Sequence, residues 1–256
     1  MPGSREGRLA GLKARIAALE AGTRTLGAML PFGDPQVDGC LPGGGLGLGR
    51  WHEFTGEGLE VENAASTAAF VAALARPLAA KGQVVWVVRR DDLFAPGLEG
   101  LGLPAERVIG VCPRDEAEAL MVLEDALGTV GVAAAVGEVE AVDLTAGRRL
   151  QLACERQGTT GLIIRRRPFG GAVRRETGSA AASRWKVSAA PSEPAPGEPG
   201  LGAPRWRVEL ERARGGRTGG WTMELNEASH GAYPFRVVSD LADLGLAPEA
   251  PLRRAG

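Results

Sequence analysis

Between Arg50 and Arg165 the apolar residues fall into two repeating patterns. Short runs lack polar interruption: Gln83–Arg89 with Val84, Val85, Trp86, Val87 and Val88, then Val108–Cys112, Val130–Val136 and Gly161–Ile164. Between them lie stretches with helical spacing, Ala64–Ala80, Arg114–Leu127 and Leu144–Gln157, the last with Leu150, Ala153 and Cys154 on one face. Continuous apolar strands separated by helices predict an α/β fold, with a mainly parallel sheet flanked by helices on both faces. After Arg165 the pattern becomes alternation. Ser183–Ser188 and Trp206–Ala213 read as half-buried strands, with Trp206, Val208 and Leu210 facing a core and charged residues facing out. Gly215–Gly216 reads as a turn that returns the chain as Gly220–Leu225, an antiparallel C-terminal hairpin.

The two ends differ from this core. Leu9, Leu12, Ile16 and Leu19 recur at helical spacing with charges between them, predicting a separate amphipathic helix over residues 1–24. So short a helix is marginal alone in water, so its apolar stripe needs a surface, on its own domain or on another protein. We assign it to assembly. Residues 25–49 read as a Gly/Pro-rich connector, 50–240 as the domain, 189–204 as a disordered loop and 241–256 as a flexible tail.

A chain of 256 residues with 44% hydrophobic content can bury the core of one large domain. The net charge of −1 is uneven. Residues 1–160 carry 15 basic and 21 acidic side chains, 161–220 carry 12 and 5, and 221–256 carry 3 and 5. The basic stretch suits an anionic partner or a solvated arginine-rich surface. Three dispersed cysteines and two histidines match no metal spacing, and Cys112 and Cys154 lie in apolar runs that suggest buried thiols. His52, inside a strand, reads as structural. His230 lies in a polar turn with no evident partner. With no signal-like start and no long apolar run, the expected compartment is the cytoplasm, without membrane contact.

Residues 50–63 hold the most informative departure. A short strand ending in Gly56 leads through glycines into a helix, the layout of a phosphate loop, but that motif continues with glycine, Lys and Ser or Thr. Here Val61, Glu62 and Asn63 stand instead, with Glu53, Glu57 and Glu60 nearby. One helix N-terminus offers only about half a positive charge to a nucleotide. Each like-charge pair about 4 Å apart costs about 4 kcal/mol near a protein surface.

Leu41-Pro-Gly-Gly-Gly-Leu-Gly-Leu-Gly-Arg-Trp-His-Glu, Arg148–Arg156 with Gly158–Arg167, and Arg205–Arg217 occur in an order that resembles the RecA-type ATPase core. More closely, it resembles the ImuA (SulA-like, RecA-like) accessory proteins of damage-induced mutagenesis. The resemblance implies a RecA-like domain working with an ImuB-type Y-family-like protein, an error-prone replicative polymerase and RecA itself. It places a Walker B carboxylate near Glu138 and Glu140, and the water-activating carboxylate near Asp91. With Lys and hydroxyl absent at Glu62 and Asn63, phosphoryl transfer loses two of its main parts. The reading is therefore a non-enzymatic, cofactor-free accessory protein. A divergent RecA-type DNA-dependent ATPase and a SulA-like cell-division inhibitor are the alternatives.

The candidate binding residues are basic. Arg165, Arg166 and Arg167 leave a parallel strand at its carboxyl end, where open α/β sheets place ligands. Arg174 and Arg175 follow a glycine turn in the segment that the RecA resemblance assigns to DNA. Arg212, Arg214 and Arg217 lie at the hairpin tip. Such a face suits single-stranded DNA, a protein partner or plain solvation. One contiguous positive surface is expected.

Overall fold

A computed structural model describes residues 27–58, 60–166, 179–194, 197, 199–226 and 233–240, with no side-chain detail for 60–63, 239 and 240. The expected assembly helix with Leu9, Leu12, Ile16 and Leu19, and the expected tail, lie outside these residues, as do Arg167, Arg174 and Arg175.

The described chain forms a small ribbon, β1 (Met29–Leu30) with β2 (Leu46–Gly47), around helix α1 (Pro35–Asp38). There follow β3 (Trp51–Gly56), α2 (Glu60–Ala79), β4 (Gln83–Val87), α3 (Ala95–Gly100), β5 (Val108–Val111) and α4 (Glu116–Leu127). Next come β6 (Val132–Val139), α5 (Leu144–Gln157), β7 (Thr160–Arg165) and β8 (Ser183–Ala190). The chain continues as β9 (Arg205–Ala213), β10 (Gly219–Leu225) and β11 (Phe235–Asp240).

Nine strands make one sheet in the order β11-β10-β9-β8-β3-β7-β6-β4-β5. From β5 to β8 all pairs are parallel, and from β8 to β11 all are antiparallel. The expected α/β class and the antiparallel hairpin are both present. The antiparallel part is larger than expected, because β11 adds a strand beyond the hairpin.

Alternation explains the two cores. Val84, Trp86, Ala134, Val136, Leu162 and Ile164 meet α2, whereas Val85, Val87, Ala135 and Ile163 meet α4 and α5. Strands clad on both faces read as unbroken apolar runs. Gly137 lets α4 close on β6, since a Cβ there would stand 2.4 Å from Leu123 Cδ1. Over β8 and β9 only one face is covered, so Trp206, Val208 and Leu210 are buried, as the alternation predicts.

Residues 27–49 are not a connector. Phe32 and Leu46 are 2% and 0% exposed, and the Phe32 ring centroid lies 5.4 Å from that of Trp185 and 6.0 Å from that of Phe235. Asp34 caps α1 by accepting from the Gln36 N–H at 2.8 Å, and Asp38 accepts from the Phe32 N–H at 2.7 Å. Polar capping thus fixes a glycine-rich segment as a flap over the α2-side core. Residues 189 and 190 extend β8 rather than opening a loop, and beyond them Glu193 pairs with Arg205 at 3.1 Å.

Candidate functional site

The strand–turn–helix layout expected after β3 is present. Gly56 ends the strand, Gly58 takes φ 77°, and Glu62 and Asn63 belong by backbone to the first turn of α2. The Glu57 carboxylate pairs with Lys186 Nζ from β8 at 2.7 Å, and that hydrogen bond holds it below the usual carboxylate range.

The chain order makes a topological switch point at the carboxyl ends of β4 and β6. These strands are neighbours, but the connection after β4 runs outward to β5 while that after β6 runs inward to β7. Such a switch point is where open α/β sheets receive ligands. Here Arg166 occupies it. Its guanidinium bonds Asp92, just beyond β4, at 2.7 Å, and makes a short contact to Glu138 of β6. Glu138 is 4% exposed and also accepts from the Trp86 indole N–H at 3.3 Å. Burial works against the Arg166 charge, but hydrogen bonds and charges from Asp92 and Glu138 outweigh it and hold its pKa above the usual value. Asp91 is exposed beside this pair.

A second cluster lies on the other face of the sheet. Glu53, 3% exposed in the middle of β3, accepts from Arg165 at 3.2 Å, Arg184 at 3.3 Å and the Ser179 hydroxyl at 2.8 Å. Arg212 donates to the carbonyls of Ser179 at 2.9 Å and Ala181 at 2.8 Å, and Arg214 donates to the Ser179 carbonyl at 3.4 Å. Arg217 is elsewhere, donating to the Gly39 carbonyl at 3.1 Å, so the β9–β10 turn docks on the flap.

The expected single positive face is therefore corrected for the residues that can be placed. Arg165 and Arg166 diverge to opposite faces, and their side chains are 11% and 13% exposed. The reason is energetic: an unpaired buried charge costs several kcal/mol, about 3–5 when one partner of a pair is lost, so each arginine takes the carboxylate at its own height in the sheet. Glu53, read from sequence as a repelling charge, and Glu138, placed by the resemblance near the Walker B position, are the anchors of two clusters. Arg184 and Ser179 were not anticipated. The available signal was a carboxylate inside each of two apolar strands, Trp51-His-Glu-Phe and Val136-Gly-Glu-Val, which must find a cation to be buried.

His52 is structural, as expected. Its Nδ1 meets Ser183 Oγ at 2.7 Å and its Nε2 meets the Gly47 carbonyl at 2.8 Å, and burial lowers its pKa to about 4. Cys154 is buried, and burial raises its thiol pKa to about 12, but Cys112 is exposed, contrary to expectation, because it follows the sheet-edge strand β5.

No protein-family model matches the chain. It is 60% identical over 244 residues to Protein ImuA of Caulobacter vibrioides strain NA1000 / CB15N, covering 93% of this chain and 100% of that protein. The same figures hold for Protein ImuA of strain ATCC 19089 / CIP 103742 / CB 15. The chain belongs to the ImuA family. Among solved structures, SulA from Pseudomonas aeruginosa matches at 22% identity with a TM-score of 0.39, covering 45% of this chain and 96% of that one. In this ImuA-family chain, then, the sheet carries two arginine–carboxylate clusters on opposite faces, one at the carboxyl ends of β4 and β6 and one centred on Glu53 in the middle of β3. No helix among the described residues is long and apolar enough to cross a membrane.

Proposed function

We propose that the chain is a non-catalytic accessory protein of damage-induced mutagenesis and translesion synthesis, acting by binding other proteins. Membership of the ImuA family supports the process. The observation that carries the non-catalytic part is Arg166, bridged between Asp92 and Glu138 where an open α/β sheet would admit a nucleotide. The carboxylate nearest the Walker B position is thus committed to an internal cation. The sequence also supplies no Lys at Glu62 and no hydroxyl at Asn63 to bind phosphate and Mg²⁺.

In this reading the partners are an ImuB-type Y-family-like protein, an error-prone replicative polymerase and RecA. Purified chain, mixed with each, should form a complex with the ImuB-type protein on gel filtration and release no phosphate from ATP, with or without single-stranded DNA. DNA-stimulated hydrolysis above a heat-inactivated control would contradict the reading. So would assembly with the cell-division GTPase rather than any mutagenesis protein.

A further inference from the structure

The two edges of the sheet are built differently. β11 carries Arg236 and pairs with β10 through a register shift. β5 reads Val108-Ile109-Gly110-Val111, with no charge, no proline and an unbroken register on β4. An apolar edge of the second kind invites pairing with other chains, and proteins protect such edges with charges, bulges or a covering helix. Ile109 lies opposite Val85 and so faces the α4 side of the sheet, where it is 49% exposed. The Gly131 carbonyl accepts from the Gln83 N–H at 2.8 Å, which sets Val130, 82% exposed, at the amino end of β4, the neighbour of β5. Val111 and Val122 pack on the α4-side core but stay only half-buried. An apolar strip is therefore open along the β5 edge.

The chain itself supplies a matching element. The described residues begin at Gly27, where the Leu48 N–H donates to the Ala28 carbonyl at 2.9 Å and the Gly161 N–H donates to the Arg50 carbonyl at 2.9 Å. This is the amino end of β3 and β7, and β5 starts at the same end because the strands between are parallel. Four strand spacings from β3 to β5 make about 19 Å. Residues 20–26, between Leu19 and the described chain, span about 23 Å when extended. Charge favours the match. Residues 81–143, which run from β4 through β6, carry 12 acidic and 5 basic side chains. Arg149 and Arg166, which pair into this half from outside, leave it acidic. Residues 1–24 carry 5 basic and 2 acidic side chains. Glu106, next to β5, and Asp125, on α4, are exposed beside the strip.

We propose that residues 1–24 form a helix that packs on their own domain, with Leu9, Leu12, Ile16 and Leu19 laid against Ile109, Val122 and Val130. The helix covers the β5 edge, and its basic side chains lie over the acidic β4–β6 half. This gives the helix a place on its own domain instead of the expected role in assembly. It goes beyond the accessory role proposed above, and its failure would leave that role standing.

The test is limited trypsin digestion of the full chain, with cleavage after Lys13 and Arg15 followed by mass spectrometry. Ile16→Asp, which breaks the stripe, and Ile109→Lys, which breaks the strip, should each speed this cleavage about tenfold, because proteolysis follows the population of the undocked helix. The charge reversal Glu106→Lys/Asp125→Lys should speed it as well. Leu201→Lys, at a side chain 95% exposed between β8 and β9, should leave the rate unchanged. Circular dichroism checks the fold, and Val130→Lys replaces Ile109→Lys should that variant not fold. The wild-type rate should not depend on protein concentration. Equal rates in the wild type, Ile16→Asp and the strip variant would overturn the proposal. So would protection that grows with concentration, which would place the helix on a second copy.

Discussion

Glu138 is a carboxylate with 4% exposure held by an indole N–H and a guanidinium, so its charge is tolerable only while Arg166 is present. Removing one partner of such a pair leaves a buried unpaired charge and costs about 3–5 kcal/mol. Arg166→Ala should therefore lower the urea midpoint by that equivalent; a loss under about 1 kcal/mol would mean that Glu138 is better solvated than its burial implies. His52 gives a pH signature. Its pKa is lowered from 6.5 to about 4, so its neutral form favours the fold; that stability is complete above pH 6.5 and is lost as the pH falls through 4. The amplitude is about 3 kcal/mol. Wild type minus His52→Gln, measured by urea unfolding at several pH values, should show this slope between pH 4 and 6.5, and parallel curves would contradict it. The structural role of His52 was legible from its place in an apolar strand. The partners of Glu53 and Glu138 were not, because sequence shows Arg165 and Arg166 side by side while strand alternation sends them to opposite faces.

At the scale of elements, periodicity was a sound guide wherever an element was long. Leu144–Gln157 is found with its expected bounds as α5, and the alternation of β9 gives the correct inward face. Elements that follow no period were invisible, whereas the short strand expected at Val108–Cys112 is present as β5. The flap residues Phe32, Val37 and Leu46 follow no period, and the Gly and Pro around them resemble a loop, yet all three are buried. Strand β11 is defined by distant partners: Phe235 stacks on Phe70 at 4.4 Å, while Arg236 joins Arg205 on Glu224. That triad, which burial opposes but both arginines stabilise, ties β9, β10 and β11 together and keeps Glu224 below the usual carboxylate range. Because the flap is core, Phe32→Ala should cost about 3–5 kcal/mol in chemical unfolding. A tether would lose no more than about 0.5 kcal/mol.

For the whole molecule, the parallel sheet and its antiparallel extension make a scaffold whose ligand-receiving edge is already occupied by internal ion pairs. The sequence announced this in part, through the missing Lys and hydroxyl of the phosphate-loop position. It did not show that Arg166 occupies the switch point between β4 and β6, which depends on strand order rather than on any local pattern. At this switch point the Asp92 and Glu138 carboxylates already have Arg166 as their cation. Glu62→Lys alone should accordingly restore no ATP hydrolysis, since Asn63 and the Arg166 bridge remain; measurable turnover in that variant would show that one charge had been the whole obstacle. The most direct test is calorimetric titration of the full chain with Mg-ATP. The Arg166 bridge predicts no saturable heat, and a dissociation constant in the micromolar range would contradict it.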